Sequence, residues 1–320
     1  MILLNNDPES FYSLDANGYV QEIMSFHNRV KWLNIIQKVT EVLNRAQNDN
    51  KILFLYRGEN RETFGKKTGL SSNFDEDPHY DRFFVIGSKA KSYYKEKQKG
   101  YLTIKQFDHQ SKASYIFDNL NKFSQSSRYH SVLSYFNNKT NEKHFIEKLM
   151  KIKDKNHQIT IGNFYLAFIH TISSDPMSMK AHSVLLSSTK NADVAKSFSN
   201  NGFIIGFWLQ QPITNQAINY ASIDEIDNIL NKYSFPTIEV IHFPDESEVT
   251  IFSSIFPHNI YYVYDVCHNK HVFNPHLLKT DINKIIDKGI NVNQKYFYKT
   301  IKGIYSNSIW RYNSELLYEK

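Results

Sequence analysis

Apolar residues recur every three or four positions over residues 28–46, where Trp32, Ile35, Ile36, Val39, Val42 and Leu43 form one stripe. That spacing predicts an amphipathic helix. QNDN ends it, and the continuous apolar run ILFLYRG (52–58), closed by Gly58, predicts a buried strand. FFVIG (83–87) predicts another. From about 88 to 180 the spacing is mainly helical and polar, clearest in KHFIEKLMKI (143–152) and GNFYLAFIHTI (162–172). After Asp175-Pro176 the period shortens. HSVLL (182–186) reads as a short strand. SSTKNADVAKSF reads as a helix started by Ser or Thr, with Val194, Ala195 and Phe198 on its apolar stripe. GFIIGFWLQQP (202–212) is a strand stopped by proline, and SIDEIDNILNKY (222–233) is a helix opened by the capping box Ser222 and Glu225. TIEVIHF (237–243), DESEVTIF (245–252) and NIYYVYDV (259–266) complete a strand-rich second half.

Several strands with few helices between them, behind a helical first half, predict an α+β fold. With no internal repeat and no Gly/Ser- or Pro-rich linker, the reading is one interrupted domain over 1–320. Its core strands fall at about 50–65 and 180–266, and a basic aromatic extension with helical hints at 281–287 follows from 268 to 320.

DESEVTIF places two acids one residue apart where a strand begins. Side chains alternate faces along a strand, so Glu246 and Glu248 share a face, rooted about 6 to 7 Å apart. Two carboxylates converging on one volume suit general acid/base and cation-stabilising chemistry, and a solvated strand face looks the same.

Composition narrows the classes. A chain that is 41% hydrophobic and 15% aromatic buries a sizeable core and is not disordered. The single Cys267 excludes a disulfide framework and paired-cysteine zinc sites, and points to a reducing compartment. MILLNNDPESFYSLD lacks the basic region of a secretory signal, and no apolar run approaches the ~18 residues of a membrane span. The expectation is a cytoplasmic protein without a membrane partner. The net charge of +6 is unevenly spread: residues 88–105 and 295–312 interleave lysines with tyrosines. That combination serves single-stranded nucleic acid in some proteins and an ordinary solvated basic face in others.

No GxGxxG, GxxxxGK[ST], HExxH or GxSxG occurs. Cys267, His268 and His271 cluster in sequence without a fourth ligand at metal spacing, so the expectation is no metal and a buried cysteine beside surface histidines.

Three segments taken in order carry a resemblance: LYRG ending a strand (55–58), LLSST before a helix (185–189) and ESEV opening a strand (246–249). The chain resembles the mono-ADP-ribosyltransferases of the R-S-E class, which include cholera-like and clostridial actin-modifying toxins and vertebrate ecto-transferases. The clear match covers about 52–58 and 182–266. The resemblance implies a split β-sandwich core with a helical N-terminal region. The distance from Arg57 to Ser187 far exceeds the toxin pattern, which implies a large helical insertion at about 66–165. Arg82 in DRFFVIG is the alternative first-strand arginine; Tyr-Arg-Gly favours Arg57. The family's usual Ser-Thr-Ser is Ser-Ser-Thr here, which keeps the hydroxyls.

By that resemblance the co-substrate is NAD and no metal takes part. Glu248 is the catalytic acid that stabilises charge on the ribose and grips a ribose hydroxyl. Glu246 positions the acceptor and takes its proton. Arg57 holds the pyrophosphate, and Gly58 offers backbone to the nicotinamide amide. Ser187 holds Glu248, Ser188 and Thr189 line the same strand end, Phe198 meets the nicotinamide ring and Phe243 meets the acceptor. Glu-x-Glu resembles members that modify protein arginine. The basic, tyrosine-rich segments keep a nucleic-acid acceptor open. Plain NAD hydrolysis and non-catalytic nucleic-acid binding are the competing readings. The family also implies a toxin or effector made inside a cell or delivered into one, with a neutralising antitoxin as partner.

Overall fold

Helix α1 (Phe26–Asn48) runs for 23 residues and buries Ile36, Val39, Leu43 and Ala46, three or four positions apart, so Ile36, Val39 and Leu43 of the first stripe lie on its inner face. The computed structural model describes residues 12–14, 20–22, 26–61, 83–84, 87–88, 110–173, 185–211, 213, 217–219, 223–238, 247–251, 255–274, 277, 281–283 and 286. The architecture is mixed helix and antiparallel sheet, an α+β fold. The chain forms two compact units: Met1–Gln98 with Ser188–Pro212 and Ser254–Lys320, and Lys99–Ser187 with Ile213–Ser253.

The first unit is built on a long hairpin-like pairing. Strand β3 (Ile52–Glu59) runs antiparallel to β5 (Phe203–Gln210) from Ile52↔Gln210 to Glu59↔Phe203. Both are apolar almost throughout, as strands covered on two sides must be. Strand β8 (Ile260–Asp265) pairs with β5, and β9 (Lys270–Phe273) with β8. On the other flank β4 (Leu186–Thr189) pairs with β3 through Tyr56↔Thr189. Trp208, Tyr261 and Tyr262 fill the core beneath α1. Thr40 ties helix to sheet, donating to Ile36 O at 2.8 Å and lying 2.7 Å from the Tyr261 hydroxyl. A small antiparallel pair, β1 (Tyr12–Leu14) and β2 (Val20–Glu22), also belongs to this unit.

The second unit is helical on one side: α2 (Gln110–Ser124), α3 (Ser134–Asn137), α4 (Asn141–Met150), α5 (Lys155–Ser173) and α7 (Ile223–Lys232). Its core is a cluster of edge-on rings, with Phe136, Phe145 and Tyr165 at 5.5 to 5.6 Å from one another. The Tyr165 hydroxyl donates to Pro236 O at 2.7 Å, so even this buried phenol is satisfied. Strand β6 (Ala217–Asn219) pairs antiparallel with β7 (Glu248–Ile251), and β7 is followed in the sheet by β4, whose Leu186 and Ser187 belong to this unit. The helical stretch expected as an insertion at about 66–165 therefore shares a core with residues drawn from 213–253, such as Ile218, Ile226 and Phe235.

Several local expectations change. Phe83 and Phe84 are helical and Gly87 has φ +70, so the described residues of FFVIG are not in a strand, and Val85 and Ile86 lie outside the described residues. Of the strand expected at 182–186, residues 182–184 lie outside the described residues; a strand spans Leu186–Thr189, which makes Ser187 to Thr189 strand residues and leaves capping to Asn191. The Asn191 side chain accepts from Asp193 N at 2.9 Å. Thr237 and Ile238, the described part of TIEVIHF, are not in a strand. Ser222 lies outside the described residues. No helix among the described residues is long and apolar enough to cross a membrane.

Candidate functional site

Arg57, Gly58, Ser188, Thr189 and Phe198 belong to the first unit. Arg57 sits near the end of β3, and its Nε donates to Glu59 Oε1 at 2.9 Å. The two side chains share a face because they are two apart on a strand. Glu59 is buried, and Ser88 Oγ donates to the same oxygen at 2.5 Å. The arginine is thus anchored by a buried acid rather than by an exposed surface pair.

Gly58 faces helix α6 (Ala192–Ser199). A Cβ at Gly58 would lie 2.2 Å from Ala195 O and 2.7 Å from Ser199 N, so only glycine lets the helix lie this close to β3. The same approach sets which helix residues turn inward. The expected stripe of Val194, Ala195 and Phe198 is replaced by an inner face of Ala195 and Ser199, small enough for close contact. Phe198 is turned outward and is 60% exposed. Thr189 and Ser188 are buried, and Thr189 Oγ1 accepts from Asn191 N at 3.0 Å.

Ser187 and Glu248 belong to the second unit, on the neighbouring strands β4 and β7. Glu248 is the first residue of β7, only 8% exposed, and accepts from Thr250 Oγ1 at 3.2 Å. A buried carboxyl group held by a hydroxyl on its own strand is fixed in direction before any ligand arrives. Ser187 is exposed between the buried Leu186 and Ser188, and its Oγ lies 3.1 Å from His170 Nε2. His170 itself is buried in the last turn of α5.

Glu246, Phe243 and Arg82 lie outside the described residues, as do most of the lysine- and tyrosine-rich stretches. One premise about Glu246 is nevertheless corrected. Ser247 has φ +46, a left-handed conformation, and β7 begins only at Glu248. Strand alternation therefore starts at Glu248 and does not run through Ser247.

The second cluster noted in the sequence also resolves into other partners. Cys267 is exposed rather than buried. His268 Nδ1 lies 3.0 Å from Asp265 Oδ2. Asp265, fully buried, takes Arg61 Nη2 at 2.6 and 2.7 Å on its two oxygens, and the Arg61 guanidinium lies 4.6 Å above the Phe203 ring. His271 packs against Tyr264, their ring centroids 4.5 Å apart. Among the described residues no group of three metal-ligating side chains occurs. Burial pushes the His271 ring down to about 4 and the fully enclosed His258 ring down to about 3.

Four participants escaped the sequence reading. Glu59 and Thr250 carried a usable signal, since each lies two residues beyond a candidate on the same strand. His170 and Arg61 carried none, because their partners are remote in sequence. The chain matches no family model, no curated protein and no solved structure.

Proposed function

We propose that the chain is a mono-ADP-ribosyltransferase that cleaves NAD at the nicotinamide–ribose bond and passes ADP-ribose to a macromolecular acceptor, with protein arginine the acceptor that Glu-x-Glu favours. The observation that carries the reading is Glu248: a carboxylate opening a strand, 8% exposed, held by Thr250, on the strand next to the one bearing Ser187. The R-S-E resemblance assigns its role, and an ADP-ribosyltransferase-like split β-sandwich is the finer fold this reading carries.

The chemistry accounts for the residue types. As the C1′–N bond breaks, nicotinamide leaves with the electron pair and the ribose acquires oxocarbenium character. Glu248 stabilises that charge as it develops. An acceptor nitrogen then donates its lone pair to C1′, and its proton passes to Glu246. Arg57 suits the pyrophosphate, because a guanidinium is always charged and forks onto phosphate oxygens. The Glu59 carboxylate fixes its Nε and thereby its direction. Phe198 offers an exposed ring on the helix packed against Gly58, next to Arg57 in the chain. An exposed large aromatic with that placement suits a flat nicotinamide better than a core role.

The test compares nicotinamide release from NAD by the wild type and by Glu248→Gln. The expected loss is at least ~100-fold, the scale of removing a principal electrostatic stabiliser. Equal rates would remove Glu248 from the mechanism, and no release by the wild type, with lysate present, would remove the reading. Labelled NAD with lysate, followed by protease or nuclease digestion, names the acceptor class. Label that survives protease and is freed by nuclease replaces arginine with a nucleic-acid base.

A further inference from the structure

We propose that His170 is a positioning residue for this reaction, donating from Nε2 to Ser187 Oγ so that the serine's single hydrogen is directed to the Glu248 carboxylate; this rests on the NAD reading above.

The argument begins with burial. His170 lies in the last turn of α5, flanked by Ile169 and Ile172, both core residues of the second unit, so its ring has little freedom. Its Nε2 is 3.1 Å from Ser187 Oγ, across 17 residues of sequence. Ser187 is exposed on β4 while Leu186 before it and Ser188 after it are buried. A buried imidazole therefore stands behind the one exposed hydroxyl of this strand. Glu248 lies on the adjoining strand β7, in the same unit.

Donor and acceptor counting then fixes the direction. A hydroxyl has one hydrogen to give and two lone pairs to receive with, whereas an ionised carboxylate only accepts. If Ser187 serves Glu248, its hydrogen is spent there, and the contact with His170 is satisfied only when Nε2 carries the hydrogen. The resulting order is Nε2–H to Oγ, then Oγ–H to carboxylate. Each donor polarises the next, and the serine rotor is locked. His170 touches neither NAD nor acceptor in this scheme. It acts only through Ser187.

Four proteins test it by nicotinamide release: His170→Ala, His170→Gln, Ser187→Ala and the double variant His170→Ala/Ser187→Ala, each checked for native circular dichroism. Loss of one buried hydrogen bond is expected to lower kcat about 10-fold in His170→Ala, with KM within about 2-fold. Glutamine retains an N–H donor, so His170→Gln is expected to stay within about 3-fold of wild type. The double variant is expected to be no slower than Ser187→Ala alone. Undiminished kcat in folded His170→Ala overturns the proposal and leaves the NAD reading standing. A further 10-fold fall on adding His170→Ala to Ser187→Ala also overturns it, because a residue acting through Ser187 has nothing left to act on. Failure of His170→Gln to restore activity in a folded protein overturns the donor role. Absence of nicotinamide release in the wild type removes both the proposal and the reading beneath it.

Discussion

Arg57 and Glu59 are a charge pair built by strand alternation: Nε meets Oε1 at 2.9 Å, with the acid almost wholly enclosed and the arginine only partly so. The asymmetry decides which partner is harder to lose. Removing Arg57 takes the guanidinium away from a buried carboxylate to which Ser88 Oγ also donates. Removing the charge of Glu59 leaves an arginine that still reaches water. Arg57→Met is therefore expected to cost about 3 kcal/mol, the scale of breaking a buried pair, and Glu59→Gln about 1 kcal/mol. Urea denaturation at unchanged m-value checks both, and equal costs would contradict the asymmetry. The practical consequence is that inactivity of Arg57→Met alone says nothing about NAD. Arg57→Lys, which keeps the charge, separates binding from stability.

Gly58 is held by geometry, independent of any ligand. A methyl group there meets the Ala195 carbonyl at 2.2 Å and the Ser199 amide at 2.7 Å, both backbone atoms that cannot rotate away. Helix α6 has to move as a body. Gly58→Ala is expected to destabilise the protein by at least ~2 kcal/mol, within the range for overpacking. Thermal unfolding measures it. A variant as stable as wild type would show that α6 does not sit where the structure puts it.

The elements were more legible than the site, for a physical reason. Helices α1, α4, α5 and α7 and strands β3, β5 and β8 announce themselves because their burial follows a period of 3.6 or a continuous apolar run. β6 and β9, of three and four residues, are too short to show a period, and they stand by pairing with β7 and β8. The α6 stripe was misread because small residues define its inner face: hydrophobicity favours Phe198, whereas the close approach at Gly58 admits only Ala195 and Ser199. The site follows the same division. Arg57 and Glu248 stand out as charges at strand ends, but the atoms that fix them depend on folding. Of these only Glu59 and Thr250 lie within strand spacing. Ser247 shows the opposite failure, a left-handed residue inside a run with strong strand preference.

His258 makes the first unit sensitive to acid. Its ring is fully buried, stacked on Phe256 at 5.6 Å, and neither ring nitrogen has a hydrogen-bond partner among the described residues. Burial depresses its pKa to about 3, against about 6.5 when unfolded. The unfolded chain therefore takes up the proton first, so stability is full above pH 6.5 and declines as pH falls towards 3. His271, at about 4, acts in the same direction. Each contributes a slope of about 1.4 kcal/mol per pH unit between its two pKa values. His258→Leu is expected to remove one of these slopes, so that stability measured at pH 6 and pH 5 differs by roughly 1 kcal/mol less than in wild type. An unchanged difference would mean that His258 is not enclosed.

Thr250 supplies the last prediction, because it touches the carboxylate on which the functional reading depends. Its Oγ1 donates to Glu248 at 3.2 Å, and both residues are buried on the same face of β7. Valine matches threonine in shape but cannot donate. Thr250→Val removes the hydroxyl without opening a cavity, so the carboxylate keeps its charge and loses one restraint on its direction. A hydrogen bond to a charged group is worth roughly 1.5 to 3 kcal/mol, and only the part that differs between ground and transition state reaches the rate. The expected outcome is a 5- to 10-fold fall in kcat for nicotinamide release, with KM nearly unchanged. Thr250→Ser, which keeps the donor, is expected to remain near wild type. A valine variant with full kcat would show that Glu248 is oriented without Thr250, and a serine variant as slow as valine would show that the hydroxyl does not carry the effect.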